Sequence, residues 1–274
     1  MERCLIALDL DGTLLTSDKR ISPRTKGTLQ AVMKAGCDVA IATGRPPRTS
    51  IPFVRELGLT TPLINFNGAL VHGHGTVDIS LHTPIDYEVA MAALNVCYEI
   101  GIRNLMAEVK DEFYLHSNTS LVDPLMDVGN RAPLAVGDVR TLIASQVTSF
   151  VVSPFLDRAA ELTEALQTQF HDTLTVRAWG GAHQTIEVMS NRASKASGLK
   201  QVADLLGYDA AQIIAFGDEL NDIEMLLYAG TGVAMGNARE VVRSAADFVT
   251  DTCDRDGIAK FLERHVLAQL AAHS

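Results

Sequence analysis

Cys4-Leu5-Ile6-Ala7-Leu8-Asp9-Leu10-Asp11-Gly12-Thr13-Leu14 is the stretch from which the fold is read. Its first five residues are apolar without interruption, which predicts a strand buried on both faces, as parallel strands covered by helices are. Two carboxylates, Asp9 and Asp11, stand where that strand ends. In open α/β sheets the carboxyl ends of strands are where ligands bind. Two acids crowded at such an end cost electrostatic energy unless a cation or a shared proton relieves it, so the pair points to chemistry. The Gly12-Thr13 that follows allows a tight turn and adds a hydroxyl and backbone amides beside the acids.

Outward from this strand, the chain alternates strand and helix. After the polar turn Thr16-Ser17-Asp18-Lys19, Ser22-Pro23 opens a helix, with Ser as cap and Pro at the first helical position, and Gly36 closes it. Val39-Ala40-Ile41-Ala42 predicts a second buried strand ending in Thr43-Gly44-Arg45, and a helix follows to Leu57 with Gly58 as its stop. Leu63-Ile64-Asn65-Phe66 predicts a third strand ending at Asn67-Gly68. This order predicts an α/β fold with a doubly wound, mostly parallel sheet. Ala69-Leu70-Val71 and Val77-Asp78-Ile79-Ser80-Leu81, joined through His74-Gly75, predict a hairpin leaving that sheet.

From residue 84 to 183 the texture changes. A helix is predicted over 87–100 and another over 159–170, with short strand-like runs at 103–107, 113–116, Phe150-Val151-Val152 and Leu174-Thr175-Val176. None of these runs ends in an acidic or glycine-rich loop. The segment 84–183 therefore predicts a smaller α+β domain inserted into a core made of residues 1–83 and 184–274. Parallel-sheet texture then returns, with a helix over 194–206 stopped at Gly207, the buried run Ile213-Ile214-Ala215-Phe216, and the shorter strands Gly232-Val233-Ala234-Met235 and Phe248-Val249.

The length of 274 residues suits about two domains, and a hydrophobic fraction of 47% supports packed cores. A formal charge of −10 with no dense Lys/Arg run argues against a nucleic-acid partner. The four cysteines show no Cys-x-x-Cys spacing and read as reduced, mostly buried thiols, which suits a cytoplasmic location. No signal-type apolar region opens the chain, since Asp9 interrupts it, and no run approaches the roughly 20 apolar residues that span a bilayer. Neither a membrane nor a nucleic acid is expected as partner.

Two more strand ends carry phosphate- or metal-type residues. Thr43-Gly44-Arg45 offers a hydroxyl and free amides just before a helix, which suits an anion, although the same tripeptide also serves as an ordinary turn. Gly217-Asp218-Glu219-Leu220-Asn221-Asp222 crowds three acids and an Asn at the end of a buried strand. Asp218 could simply cap the following helix. One cap does not need three acids, and hard oxygen ligands of this kind suit Mg²⁺. Lys195 opens a predicted helix and, taken alone, is a solvated surface group.

Together these loops resemble the haloacid dehalogenase superfamily. Asp9-x-Asp11-Gly12-Thr13, then Thr43, Lys195 and Gly217-Asp218-x-x-Asn221-Asp222 follow in that family's order. The long gap between Gly68 and Lys195 is similar to the Cof-type branch, in which a class 2 (type B) α/β cap interrupts a Rossmann-like core. Asn67-Gly68-Ala69, Gly232-Val233-Ala234-Met235-Gly236-Asn237-Ala238 and Asp256-Gly257-Ile258-Ala259 add to the likeness, while Ala196 stands where many relatives have Gly.

The resemblance implies a Mg²⁺-dependent phosphatase of small phosphorylated metabolites, sugar phosphates foremost. Asp9 would be the nucleophile and form an aspartyl-phosphate; Asp11 would be the general acid and base. Asp9, the Asp11 backbone carbonyl and Asp218 would hold the cation, with Asp222 orienting a water of its shell. The amides of Leu10 and Gly44, the Thr43 hydroxyl, Lys195 and Asn221 would hold the phosphoryl oxygens. A phosphotransferase or phosphomutase would use the same intermediate. A receiver-like signalling domain carrying phospho-aspartate is disfavoured, because Asp11 would hydrolyse its own mark. A silent binding protein is disfavoured because no key acid is replaced.

Other residues carry blander expectations. His72, His74 and His82 read as solvated rather than as a metal cluster. Trp179-Gly180-Gly181 reads as packing near the return from insert to core, and Glu187 as a structural hydrogen-bonding residue. Arg45 and Arg48 read as solvated arginines at a helix start.

Overall fold

Leu5–Leu8 pairs in parallel on both sides, with Leu5 opposite Ile213 and Leu8 opposite Phe216 on one flank, and Leu5 opposite Asp38 and Leu8 opposite Ile41 on the other. The computed structural model that places it describes residues 3–74, 78–117, 129, 131–179 and 184–268. The sheet runs Phe248–Val249, Thr231–Ala234, Ile213–Gly217, Leu5–Leu8, Asp38–Ile41, all parallel. All four residues of the central strand are fully buried, and alternation sends them to opposite faces. Ile6 and Leu8 join a cluster with Leu29, Val32, Ile258 and Phe261 of two helices on one face. Leu5 and Ala7 join Leu199, Val202, Met225 and Leu226 on the other. The sheet is therefore doubly wound, as its uninterrupted apolar strand predicts. Truncating Leu8 to Ala would cost about 2–5 kcal/mol.

Local signals place the helices. Ser22 caps Pro23–Lys34 by accepting from the Thr25 amide at 3.1 Å, and Ser194 caps Lys195–Leu206, which ends at Gly207 with φ 74°. The predicted third strand behaves differently. Leu63–Asn65 touches the parallel sheet through a single bridge, Ala42 to Ile64, and pairs antiparallel with Leu70–His72. The chain reverses directly after Asn65, so the outer edge of this strand is taken by its own continuation. The joint expected at His74-Gly75 runs into residues 75–77, outside the described residues.

Contacts divide the chain into two compact units: Met1–Gly44, Ser50–Leu81 and Ser194–Ser274 form one, Arg45–Thr49 and His82–Ala193 the other. The second has its own six-stranded sheet, ordered Leu174–Trp179, Thr185–Ser190, Ser149–Pro154, Ile102–Val109, Glu112–Leu115, Ala135–Val136. Tyr87–Ile100 packs on it through Ala90, Ala93, Leu94 and Cys97, an i, i+3, i+4, i+7 stripe, and Ala159–Gln169 through Leu162 and Leu166.

Several expectations are corrected here. Thr185–Ser190 pairs antiparallel with neighbours on both sides in this second sheet, so the boundary expected at residue 184 falls after Ala193. Trp179 accordingly stands opposite Thr185 in a strand pair, and Glu187 opposite Arg177. Arg48 is not solvated: 2% exposed, it grips Glu108 through two bonds of 2.5 and 3.0 Å and lies over the Phe113 ring. A planar guanidinium matches a carboxylate and an aromatic face at once, which is why burial suits it. Cys4 and Cys37 form a disulfide, Cα atoms 4.8 Å apart, because they precede the register partners Leu5 and Asp38. Cys97 and Cys253 are free. Among the described residues, no helix is long and apolar enough to cross a membrane.

Candidate active site

Asp9 sits one residue past the central strand, its amide still donating to the Phe216 carbonyl at 3.1 Å, so its carboxylate lies at the end of the sheet. The chain then turns: the amides of Leu14 and Leu15 donate to the carbonyls of Asp9 and Leu10. Gly12 has φ 81°, and a Cβ on it would lie 2.3 Å from Asp218 Oδ2, so only glycine serves there. Thr13 donates to Asp218 Oδ1 at 2.8 Å, tying this turn to the loop after Ile213–Gly217.

That loop is organised by Asp222, which is fully buried. Its Oδ2 accepts from the Asp218 and Glu219 amides at 2.9 and 3.0 Å. Asp222, not Asp218, is therefore the acid that satisfies the loop's backbone. Its Oδ1 accepts from Lys195 Nζ at 2.6 Å, and the same ammonium donates to Asp9 Oδ1 at 2.5 Å. Lys195 is 1% exposed, so it is no surface lysine.

Carboxylate oxygens of Asp9, Asp218 and Asp222 all lie within 4.8 Å of one another. One ammonium faces three carboxylates, leaving surplus negative charge in a place water hardly reaches. Burial pushes the Asp9 carboxyl up to about 8; Lys195 pulls it down, and Asp222 and Asp218 push it further up. Burial likewise raises Asp218 to about 6, opposed by the Thr13 hydrogen bond and assisted by Asp222. For Lys195, burial alone would lower the ammonium, but Asp222 and Asp9 outweigh it and hold it above its ordinary value. A small, hard divalent cation fits this all-oxygen donor set and would relieve the repulsion.

The other expected residues fall on both sides of this cluster. Thr43 is buried, its amide on the Ile64 carbonyl and its own carbonyl receiving the Asn67 amide. Asn221 donates through Nδ2 to Asn67 Oδ1 at 2.8 Å, and its buried Oδ1 has no partner among the described residues. Leu10 is buried in the turn, and Gly44 packs beside the Asn67 carboxamide. The Asp11 carboxylate is not a member of the cluster; its Oδ1 accepts from Lys19 Nζ at 2.7 Å and is part-exposed.

Three contributors lie outside the sequence-derived set. Asn237 donates to the Gly12 carbonyl at 2.8 Å and to Asp218 Oδ2 at 3.3 Å while accepting from the Cys253 amide. Asn67 and Lys19 are the others. Asn237 follows Thr231–Ala234, so the strand-end rule that found Asp9 and Asp218 also reaches it. The histidines are no cluster: His72 meets Asn65, His74 the Thr61 carbonyl, and His82 Thr148. Burial lowers His82 to about 4, keeping it neutral.

The chain matches the family model described as haloacid dehalogenase-like hydrolase over residues 6–262. It is 37% identical over 263 residues to the 5-amino-6-(5-phospho-D-ribitylamino)uracil phosphatase YitU of Bacillus subtilis (strain 168), covering 95% of this chain and 97% of that one. It is 30% identical over 270 residues to the pyridoxal phosphate phosphatase YbhA of Escherichia coli (strain K12), covering 96% and 98%. Among solved structures, TM0651 from Thermotoga maritima matches with a TM-score of 0.84 at 26% identity, over 96% of this chain and 97% of that one. The chain belongs to the haloacid dehalogenase-like hydrolase family and is a phosphatase of it.

Proposed function

We propose that this chain is a Mg²⁺-dependent phosphatase that hydrolyses small phosphomonoesters, sugar phosphates foremost, through an aspartyl-phosphate at Asp9. The observation that carries this is the lysine bridge. Lys195 holds Asp9 Oδ1 and Asp222 Oδ1 at once, fixing a buried carboxylate at a strand end beside Asp218. A purely structural site would not gather two buried acids and a half-buried third around one ammonium, because the unmatched charge is costly.

Asp9 attacks the phosphorus, the P–O bond to the leaving alcohol breaks, and Asp11 gives that oxygen its proton. Asp11 then takes a proton from the water that attacks the phosphorus, which returns Asp9 as a carboxylate and releases inorganic phosphate. Asp9, Asp218 and the Asp11 carbonyl would hold Mg²⁺, with Asp222 nearby, and the bound ion would supply the positive charge that lets a carboxylate meet a phosphate. Lys195, Thr43, Asn221 and the amides of Leu10 and Gly44 hold the phosphoryl oxygens, where donors fixed in advance count most. Substrate selection is assigned to the inserted unit, whose strands end in no phosphate-type loop among the described residues.

The Bacillus relative's name carries a phosphorylated ribityl chain, a sugar-alcohol phosphate, which supports this substrate class. The test is a panel of phosphomonoesters: sugar phosphates, the ribitylaminouracil phosphate and pyridoxal phosphate. Phosphate release that needs Mg²⁺ and prefers sugar or polyol esters is expected. Release of none, or equal release in excess chelator, would contradict the proposal.

A further inference from the structure

Asn65-Phe66-Asn67-Gly68 does more than reverse the chain. Phe66, Asn67 and Gly68 have φ of 48°, 51° and 93°, three left-handed residues in a row, two of them not glycine. Such conformations persist only where the surroundings over-determine them, and they gather at functional sites. Here the surroundings are three of the loops assigned to phosphate. The Asn67 amide donates to the Thr43 carbonyl at 3.0 Å. A Cβ on Gly68 would sit 2.0 Å from the Ser194 carbonyl oxygen, so the turn abuts the first turn of the helix that carries Lys195. The Asn67 side chain, 1% exposed, accepts from Asn221 Nδ2 at 2.8 Å. Both its terminal atoms lie 3.3 Å from where a Cβ on Gly44 would be.

We propose that Asn67 is a positioning residue: from this left-handed turn its carboxamide sets Asn221 and Gly44 against the phosphoryl group. The inference rests on the phosphatase reading above. An amide nitrogen carries two hydrogens, so placing one on Asn67 fixes the direction of the other. The same bond fixes the Asn221 Oδ1, which is buried without a partner among the described residues. Asn221 is thus held by Asn67 before any substrate arrives, and such preorganisation is what makes a donor effective in a transition state.

The test is a double-mutant cycle. Asn67→Gly keeps a left-handed backbone and removes only the carboxamide, and Asn221→Ala removes its partner. Two quantities are measured on full-length protein with Mg²⁺: kcat and KM for a hydrolysed phosphomonoester, and the Kd for inorganic phosphate. Asn67→Gly is expected to lower kcat by about 10- to 100-fold, the scale of a misplaced catalytic group, and to weaken phosphate binding. In the Asn221→Ala background the same change should cost much less, only the share exerted through Gly44 remaining. Equal penalties in both backgrounds, or wild-type kcat and phosphate affinity in Asn67→Gly, would overturn the inference and leave a turn that only reverses the chain. If Asn67→Gly does not fold, Asn67→Ala carries the same comparison. A wild-type protein that binds phosphate but hydrolyses no ester would overturn the phosphatase reading, and the phosphate cycle would still decide Asn67. A wild type that binds no phosphate would overturn both.

Discussion

Lys195 Nζ lies 2.5 Å from Asp9 Oδ1, and both side chains are buried. The two residues stand 186 positions apart in the chain. Parallel pairing of Leu5–Leu8 with Ile213–Gly217, and the helix Lys195–Leu206 that packs over that pair, bring them together. Lys195 also pairs with Asp222, so one ammonium neutralises part of a charge that would otherwise force the loops apart.

Removing that ammonium should therefore be costly to the fold as well as to activity. Lys195→Met leaves Asp9 and Asp222 buried without a counter-ion, and breaking a buried pair typically costs about 3–5 kcal/mol. Urea unfolding of cation-free protein should show a loss of that order, with kcat falling sharply in parallel. Unchanged stability would mean that the ion pair is not formed in solution.

Cation binding should release protons. In cation-free protein Asp9 stands at about 8 and Asp218 at about 6, both raised chiefly by burial, and each must be ionised to hold a cation. Apparent Mg²⁺ affinity should thus fall as pH drops through these values. Calorimetry in buffers of different ionisation enthalpy would count the protons. Stability without cation has the opposite slope. Asp9 is raised above its unfolded value of 3.8, so its contribution is fully present below that value and is lost as pH rises toward about 8. Pairing with Lys195 moderates the loss. An affinity for Mg²⁺ that does not vary between about pH 6 and 9 would contradict this account.

Asp11 should separate activity from stability. Its side chain is 39% exposed and pairs with Lys19, itself 60% exposed, a contact of the kind that contributes little to folding. Asp11→Asn should leave the unfolding midpoint near wild type yet lower kcat by about 10²- to 10⁴-fold, the range of general acid–base catalysis. A kcat within a few fold of wild type would remove Asp11 from the mechanism.

The Cys4–Cys37 bond should add measurable stability. It closes a loop of sequence separation 33, for which chain entropy gives roughly 3–4 kcal/mol. Mass spectrometry of unreduced protein should show two hydrogens fewer than the free-thiol mass. Reductant, or Cys37→Ala, should lower the urea midpoint accordingly. Identical unfolding with and without reductant would show the pair to be thiols.

What the sequence showed and what it hid have physical causes. Leu5–Leu8 was legible because a strand buried on both faces must be apolar throughout, and the helices because Ser22, Ser194 and Gly207 mark their ends locally. Asp9, Asp218 and Asp222 were legible because strand ends converge in a parallel sheet, whereas Lys195, which opens a helix, joined them only through the family resemblance. Asn67 and Asn237 also follow strands, but a carboxamide there is unremarkable until its partners are known. Arg48 was misread because Glu108 lies 60 positions away. Thr185–Ser190 was assigned to the core because an inner strand of one sheet looks like that of another. Its neighbours, Leu174–Trp179 and Ser149–Pro154, decide the matter.

The central claim is that Asp9 itself takes the phosphoryl group, and trapping that acyl-phosphate tests it most directly. Protein mixed with a ³²P-labelled substrate and Mg²⁺, quenched in acid and digested, should yield label on the peptide containing Asp9. The label should be released by hydroxylamine, as acyl-phosphates are, and be absent from Asp9→Asn, which should also lose turnover. Turnover at the wild-type rate by Asp9→Asn, or stable label on any other residue, would contradict the account.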